Sequence, residues 1–234
     1  FPQGINAGTI NLVASLHRIL VLLTCNPRFD NNCANSLIEI LMFSIFFSSN
    51  NFCLIKKMNK ILITGGAGFI GAHLAKSLEK KNQLMIVDNL ENKGGIPYIN
   101  KSNIFIKGNI LDKKILKKIE RWKPDIIYHL AAQSGGEGAY EDPNKDFISN
   151  GFGTYLIANL AKKIKCKYFI YASSVAVYGS DTKKKLNEKS RINPDSIYGI
   201  SKYSGEMFVN QILKKTNIKV RIFRIFNTYG PGEN

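Results

Sequence analysis

Acidic residues are scarce in this chain: 17 Asp and Glu stand against 33 Lys and Arg, a formal charge of +16 over 234 residues. An excess of that size points first to nucleic acid. The lysines, however, are scattered (Lys80–Lys81, Lys113–Lys114, Lys117–Lys118, Lys183–Lys185) and are not interleaved with aromatics as a base-stacking surface would be. A solvated lysine face, in a chain biased toward Lys, Asn and Ile, accounts for the charge, and no nucleic-acid partner is expected. Cysteine is sparse as well. Of Cys25, Cys33, Cys53 and Cys166, three precede residue 60 and none shows metal-ligand spacing. That excludes a disulfide framework and fits a reducing cytoplasm. The three histidines, His17, His73 and His129, do not cluster with cysteines or carboxylates, so no metal site is expected.

Long apolar runs are missing too. The best candidate, Leu37–Phe47, covers 11 residues and is interrupted by Glu39 and Ser44. A membrane span needs about 20 apolar residues. Extension to Ile55 takes in Ser48, Ser49, Asn50 and Asn51, and Asn31–Ser36 offers no basic region for a signal peptide. The chain begins at Phe1, and residues 1–57 carry few charges and much Asn, Ser and Phe. We expect Met58 to be the native start and 1–57 to be upstream sequence outside the native domain. A weak membrane anchor is the alternative.

What is present begins at Lys60. Ile61–Ile63 reads as a buried parallel strand running into Gly65, Gly68 and Gly71. Ile70, Leu74 and Leu78 then recur four apart, the spacing of one helix face, within a helix expected over Ala72–Lys81. Strand, glycine turn and helix form the first crossover of a dinucleotide-binding fold. Gly65 permits the tight turn, Gly68 the approach of a pyrophosphate, and Gly71 close packing of helix on strand. The diphosphate would sit on free N–H groups at the positive end of the helix dipole. The spacing is G-x-x-G-x-x-G, and a glycine triplet alone is weak. Its context is stronger: the next strand, Leu84–Val87, ends in Asp88, 23 residues after Gly65. An acidic residue there accepts hydrogen bonds from the adenosine ribose. Its charge would repel a 2′-phosphate, so NAD is expected over NADP.

Strands and helices then alternate, with no internal repeat. Strands are expected over Asn103–Ile106, Asp125–Leu130, Tyr168–Ser173 and Val220–Phe226, and helices over Lys113–Arg121, Phe152–Lys165 and Tyr198–Thr216. This rhythm predicts an α/β Rossmann-type, doubly wound parallel sheet over 58–234 with helices on both faces. Ligand should lie beyond the carboxyl ends of the strands.

Three of those ends carry distinctive residues. Ala131-Ala132-Gln133-Ser134-Gly135-Gly136 offers small side chains for close approach of a flat ring. Ala172-Ser173-Ser174-Val175-Ala176-Val177-Tyr178-Gly179 follows the fifth strand. Tyr198 and Lys202 stand four apart on one helix face. A phenol of pKa about 10 is a poor base at neutral pH. A lysine one turn away, with the positive nicotinamide of NAD, favours phenolate by Coulomb attraction. Tyr198 would then exchange a proton with a substrate hydroxyl while hydride passes to the cofactor, and Ser174 would hydrogen-bond the same oxygen.

The chain at this point resembles the extended short-chain dehydrogenase/reductases that modify nucleotide sugars. The matching residues are Thr64–Gly71, Asp88-Asn89-Leu90, His129–Gln133, Ser173-Ser174 with Val177-Tyr178-Gly179, Tyr198 with Lys202, and Arg224–Asn227 with Tyr229-Gly230-Pro231. The resemblance implies a tightly bound NAD and a smaller C-terminal substrate domain. It puts catalysis on Ser174, Tyr198 and Lys202. It puts cofactor binding on Gly65, Gly68, Phe69, Ile70, Gly71, Asp88, Asn89, Asn109, Ile110, Leu130, Ala131, Ala132 and Gln133, with Tyr198 and Lys202. Substrate contact falls on Ser134, Ser174 and Asn227, and a homodimer would form through helices 152–165 and 198–216.

Three departures stand out. Gly108-Asn109-Ile110 replaces the family's Gly-Asp-Ile, although an Asn oxygen can still accept a bond from the adenine amino group. The loop Gly135–Gly138 is unusually rich in glycine. The chain also stops at Asn234, where such proteins continue into the sugar-binding domain, so it reads as a truncated fragment and activity is expected of the complete protein. Sugar 4,6-dehydratases carry acidic residues at the positions of Val175 and Ala176, and the decarboxylases a Glu at that of Ala176. Two apolar side chains move no protons, which favours 4-epimerisation of a UDP-hexose through a transient ketone. A decarboxylase or dehydratase is the alternative within the family. A non-catalytic NAD-binding protein is the alternative outside it, and intact Ser174, Tyr198 and Lys202 argue against that.

Overall fold

The computed structural model describes residues 58–91, 100–133, 142–180, 185–228 and 230. The expectations for 1–57, for Ser134 and for the Gly135–Gly138 loop lie outside those residues. Short apolar runs make the strands: β1 (Lys60–Thr64), β2 (Gln83–Asp88), β3 (Ile104–Lys107), β4 (Ile126–His129), β5 (Tyr168–Ser174) and β6 (Lys219–Ile225). All pair in parallel, in the order β3-β2-β1-β4-β5-β6. The chain leaves β1 toward β2 on one side and later returns to β4 on the other. The order therefore reverses between β1 and β4, where an open α/β sheet leaves a crevice.

Alternation along the strands divides the core. Ile61, Ile63, Ile86, Tyr128 and Ile170 point to one face and pack with Leu74, Ala75 and Leu78 of α1 (Phe69–Leu78). Leu62, Met85, Val87, Ile127, Phe169 and Tyr171 point to the other. That face is covered by Ile115 and Ile119 of α2 (Lys113–Trp122), by Ile157, Ala158 and Ala161 of α4 (Gly153–Ile164), and by Val209 and Leu213 of α5 (Ile197–Leu213). Helices on both faces of a parallel sheet satisfy the expectation, and β1, buried from Ile61 to Thr64, lies within it.

The helix boundaries differ from those expected, each for a local reason. α1 starts three residues early because Gly68 is its N-cap and Phe69 and Ile70 are already helical. α5 is capped by Ser196, whose Oγ accepts from the Gly199 N–H at 3.0 Å. It ends at Leu213, whose carbonyl is taken by Thr216 through N–H (3.0 Å) and Oγ1 (2.8 Å). α4 ends where Lys165 turns left-handed, at φ 55°. Ahead of α4 lies a segment without a counterpart in the expected elements: a one-turn helix α3 (Pro143–Asp146) runs into a π-helix, Phe147–Phe152. Asp142 caps α3 by accepting from the N–H groups of Asn144 and Lys145, with proline at the first helical position. The π-turn widens the helical path where it passes the carboxyl end of β4, and such turns occur often at functional sites.

Candidate active site

The crevice opens at the carboxyl end of β1. Gly65 takes φ +70° and donates its N–H to the Val87 carbonyl at 2.8 Å. A Cβ on Gly65 would stand 2.6 Å from the Ala131 nitrogen, so any side chain would force β1 and β4 apart. Gly68 differs. A Cβ there would meet only the Gly65 carbonyl oxygen, at 3.4 Å, so packing does not demand glycine; the bare backbone faces the crevice. Gly68 caps α1 without a side-chain acceptor, leaving the first-turn amides for whatever enters.

The crevice is lined by Gly65, Gly68, Val87, Asp88, Asn89, Glu91, Gly108, Asn109, Ile110, Leu130, Ala131, Ala132, Gln133 and Ser149. Ten expected cofactor residues are among them, and Val87, Glu91, Gly108 and Ser149 were not foreseen. Phe69, Ile70 and Gly71 do not line it. Gly71 lies behind the turn, against the Gly65 carbonyl and Gly66 Cα, in the packing role expected of it. Asp88 accepts from the Ala67 N–H (Oδ2, 2.9 Å) and the Leu90 N–H (Oδ1, 2.8 Å), which anchors its carboxylate at the strand end. Each oxygen keeps a lone pair for a ligand hydroxyl. Asn109 Oδ1 accepts from the Leu111 N–H at 2.9 Å, likewise with one lone pair to spare. Bare backbone, free amides and an acidic strand end fit the diphosphate and ribose of a dinucleotide.

Beyond this crevice the structure brings together Ser174, Tyr198 and Lys202. Ser174 lies close enough to the Tyr198 phenol to favour its ionised form. Lys202 is almost fully buried, its Nζ 4.9 Å from the centre of the Tyr171 ring. Burial pushes the Lys202 ammonium down to about 8, while Glu206 and Asp146 pull it upward. The Tyr198 phenol is raised by burial above its ordinary value, opposed by Ser174 and assisted by Asp146. In the protein alone burial is the largest influence on it, and Tyr198 holds its proton. Asn227 is exposed, two residues past β6, and does not line the crevice.

Several buried polar groups support these residues and were not singled out by sequence. Asn150, in the π-helix, accepts from the Gln133 N–H at 2.7 Å and donates to the Gln133 carbonyl (3.2 Å) and Ser201 Oγ (3.0 Å). It ties the β4 loop to α5 one residue before Lys202. His129 bridges Thr64 Oγ1 (2.7 Å) and Thr154 Oγ1 (3.0 Å), and burial drives it down to about 3, so it stays neutral. Glu206 is gripped by Arg224 through two bonds, Nε to Oε1 at 2.9 Å and Nη2 to Oε2 at 2.7 Å, and accepts from Ser173 Oγ at 2.5 Å. Arg224 Nη1 also donates to the Tyr178 hydroxyl at 2.8 Å. This bidentate pair locks α5, the β5 end and β6 together. Among the described residues, no cluster of three His, Cys, Asp or Glu side chains is placed to hold a metal, and no helix is long and apolar enough to cross a membrane.

The family model for the NAD dependent epimerase/dehydratase family matches residues 61–234. A dTDP-D-glucose 4,6-dehydratase of Dictyostelium discoideum is 38% identical over 194 residues, covering 74% of this chain and 45% of that protein. A putative UDP-glucose 4-epimerase of Methanocaldococcus jannaschii is 37% identical over 176 residues, covering 74% and 57%. A crystal structure of UDP-glucose 4-epimerase with UDP-glucose from Thermotoga maritima superposes with a TM-score of 0.66 at 31% identity, covering 70% of this chain and 54% of that one. The chain thus spans about half the length of the relatives it matches.

Proposed function

This chain belongs to the NAD dependent epimerase/dehydratase family, and from that premise we propose that the full-length protein interconverts the C4 epimers of a UDP-linked hexose through a 4-keto sugar. The observation that carries this reading is Tyr198 with Lys202 one turn on, beside a strand end where Ser174 acts on the phenol and Val175 and Ala176 carry no ionisable group. The Thermotoga maritima structure holds UDP-glucose, which supports a nucleotide sugar as the ligand.

In this reading the glycine turn and the first amides of α1 bind the cofactor diphosphate, Asp88 the adenosine ribose and Asn109 the adenine, while Leu130–Gln133 flank the path of the nicotinamide. Lys202 holds the nicotinamide ribose. The chemistry supplied by NAD, when bound, would be reversible hydride transfer at C4. Tyr198 Oη would take the proton of the C4 hydroxyl and later return it to the C4 oxygen, once the turned sugar has received hydride on the opposite face of C4. Ser174 Oγ steadies the C4 oxygen as charge shifts on it. Ser134 and Asn227 contact the substrate. Because burial holds the Tyr198 proton, the phenol needs positive charge beside it before it can act as a base. The ammonium of Lys202 and the nicotinamide supply that charge.

The Dictyostelium discoideum relative favours a second reading, 4,6-dehydration. Removal of water requires an acid/base pair besides Tyr198, and the 3₁₀ turn Val175–Tyr178 brings none at its first two positions. We also place the protein in the cytoplasm, on its sparse cysteines. The one in the described residues, Cys166, is a buried thiol pushed up to about 12. We further propose a homodimer. Phe147, Ile148, Phe152 and Tyr155 along the π-helix and α4, with Ile200 and Met207 on α5, are large exposed apolar side chains. Leu160 and Ile212, by contrast, face the core. A second copy covering the exposed set would close a four-helix interface.

Tyr198→Phe in the full-length protein should lower interconversion of UDP-glucose and UDP-galactose by about 10²–10⁴-fold while leaving NAD bound. Unchanged turnover in that variant would refute the assignment. Titration with both dinucleotides should show NAD bound far more tightly than NADP, with Asp88→Ala erasing most of the difference; equal affinities in the unaltered protein would contradict the role of Asp88. Light scattering should give twice the protomer mass at micromolar concentration, and Phe152→Glu with Met207→Glu should halve it. A monomer in the unaltered protein removes the dimer.

A further inference from the structure

Asp146 has no part in the mechanism above. It closes α3 at the entry to the π-helix and has no exposed surface. Neither carboxylate oxygen finds a hydrogen-bond partner among the described residues. Buried polar groups are ordinarily paired, and a lone buried carboxylate is costly. α3 and the π-helix both pack on α5, and the charge that Asp146 meets there belongs to Lys202. Each of these two groups favours the charged form of the other.

Two carboxylates act on Lys202, Glu206 and Asp146 in that order. Glu206 is already engaged by both arms of Arg224 and by Ser173. Among the described residues Asp146 has no such bond, which leaves Lys202 as the cation that balances it. The other groups around it, among the described residues, offer no cation. Asp142, on the same short helix, is a like charge and adds to the cost of ionising Asp146. Lys145 points away to Glu91, at 2.9 Å. Phe147–Phe152 carries no charged side chain. Tyr198 and Ser174 are neutral, and Tyr171 presents its ring to Lys202 and donates its hydroxyl to the Lys202 carbonyl at 3.2 Å.

We propose that Asp146 is a positioning residue for Lys202: a buried, otherwise unbonded counter-charge that keeps the ammonium protonated and in place before cofactor and sugar arrive. Desolvation alone drives the lysine toward neutrality, and a neutral amine neither holds the ribose as strongly nor helps Tyr198 lose its proton. The proposal rests on the assignment of Lys202 to the nicotinamide ribose. The same negative charge holds the proton on Tyr198. Replacing Asp146 by a neutral isostere should therefore let both groups lose their protons at lower pH.

The test needs no sugar, so it stands apart from the epimerase assignment. NAD affinity of the full-length protein is titrated from pH 6 to pH 9 for the unaltered protein, Asp146→Asn and Asp146→Glu. Expected for Asp146→Asn is near-equal affinity at the acid end. Its alkaline loss should move to lower pH, reaching about a tenfold deficit, one pKa unit, with Asp146→Glu restoring most of the difference. A merely structural role would weaken binding alike at every pH. A profile parallel to that of the unaltered protein overturns the proposal. If Asp146→Asn does not fold, the double variant with Lys202→Met decides, because removing both charges relieves what removing one leaves unpaired. Recovery of folding in the double variant supports the pair, and failure to recover refutes it.

Discussion

The structure depends on a steric constraint at one crossing of backbone. Gly65 turns at positive φ with its α-carbon pressed against the start of the β4 loop, and no Cβ fits between them. That contact brings the ends of β1 and β4 together at the point where strand order reverses. Everything proposed for the site is referred to it. Gly68 and the first turn of α1 stand on one side, Leu130–Gln133 on the other, and Asp88 at the neighbouring strand end is bonded back into the turn through Ala67. A larger residue at Gly65 would misplace all of these groups together.

A second theme is the handling of charge away from water. His129, Glu206 and Lys202 lie buried around β5 and α5, and each is treated differently. His129 is kept neutral between two threonine hydroxyls. Glu206 keeps its charge because Arg224 matches it with a two-pronged bond, well suited to a planar carboxylate. Lys202 is left at an intermediate value, about 8, within reach of neutral pH. Groups poised in this way are typical of sites that move protons, whereas fully satisfied pairs are typical of scaffolding. The contrast between Lys202 and Arg224, on neighbouring elements, separates chemistry from support.

β1, β2, β4 and β5 were legible because buried parallel strands are written as apolar runs, and the turn because only glycine suits its geometry. The Tyr-x-x-x-Lys pair was legible because its spacing survives any fold that keeps the helix. The unforeseen part has a common physical origin. Asn150, Glu206 and Asp146 are polar residues in helices, and by type they read as solvent-facing. Their burial follows only from the packing of α3, the π-helix and α5, and their partners lie 17 to 51 residues away where partners exist. The π-turn itself leaves no periodicity, since an extra residue per turn over six positions is too short to show as a pattern. The raised pKa of Tyr198 was illegible for a related reason: spacing gives proximity but not the cost of desolvation.

The choice of reaction turns on Val175 and Ala176, two side chains that cannot carry a proton at the place where a dehydration would need one. The most direct test is to incubate the full-length protein with UDP-glucose in D₂O and follow the product by mass and proton NMR. The account predicts UDP-galactose of unchanged mass that retains protium at C4, because the hydrogen removed from the sugar is the one returned. A product lighter by one water, with solvent deuterium on the ring carbon beside a ketone, would contradict it.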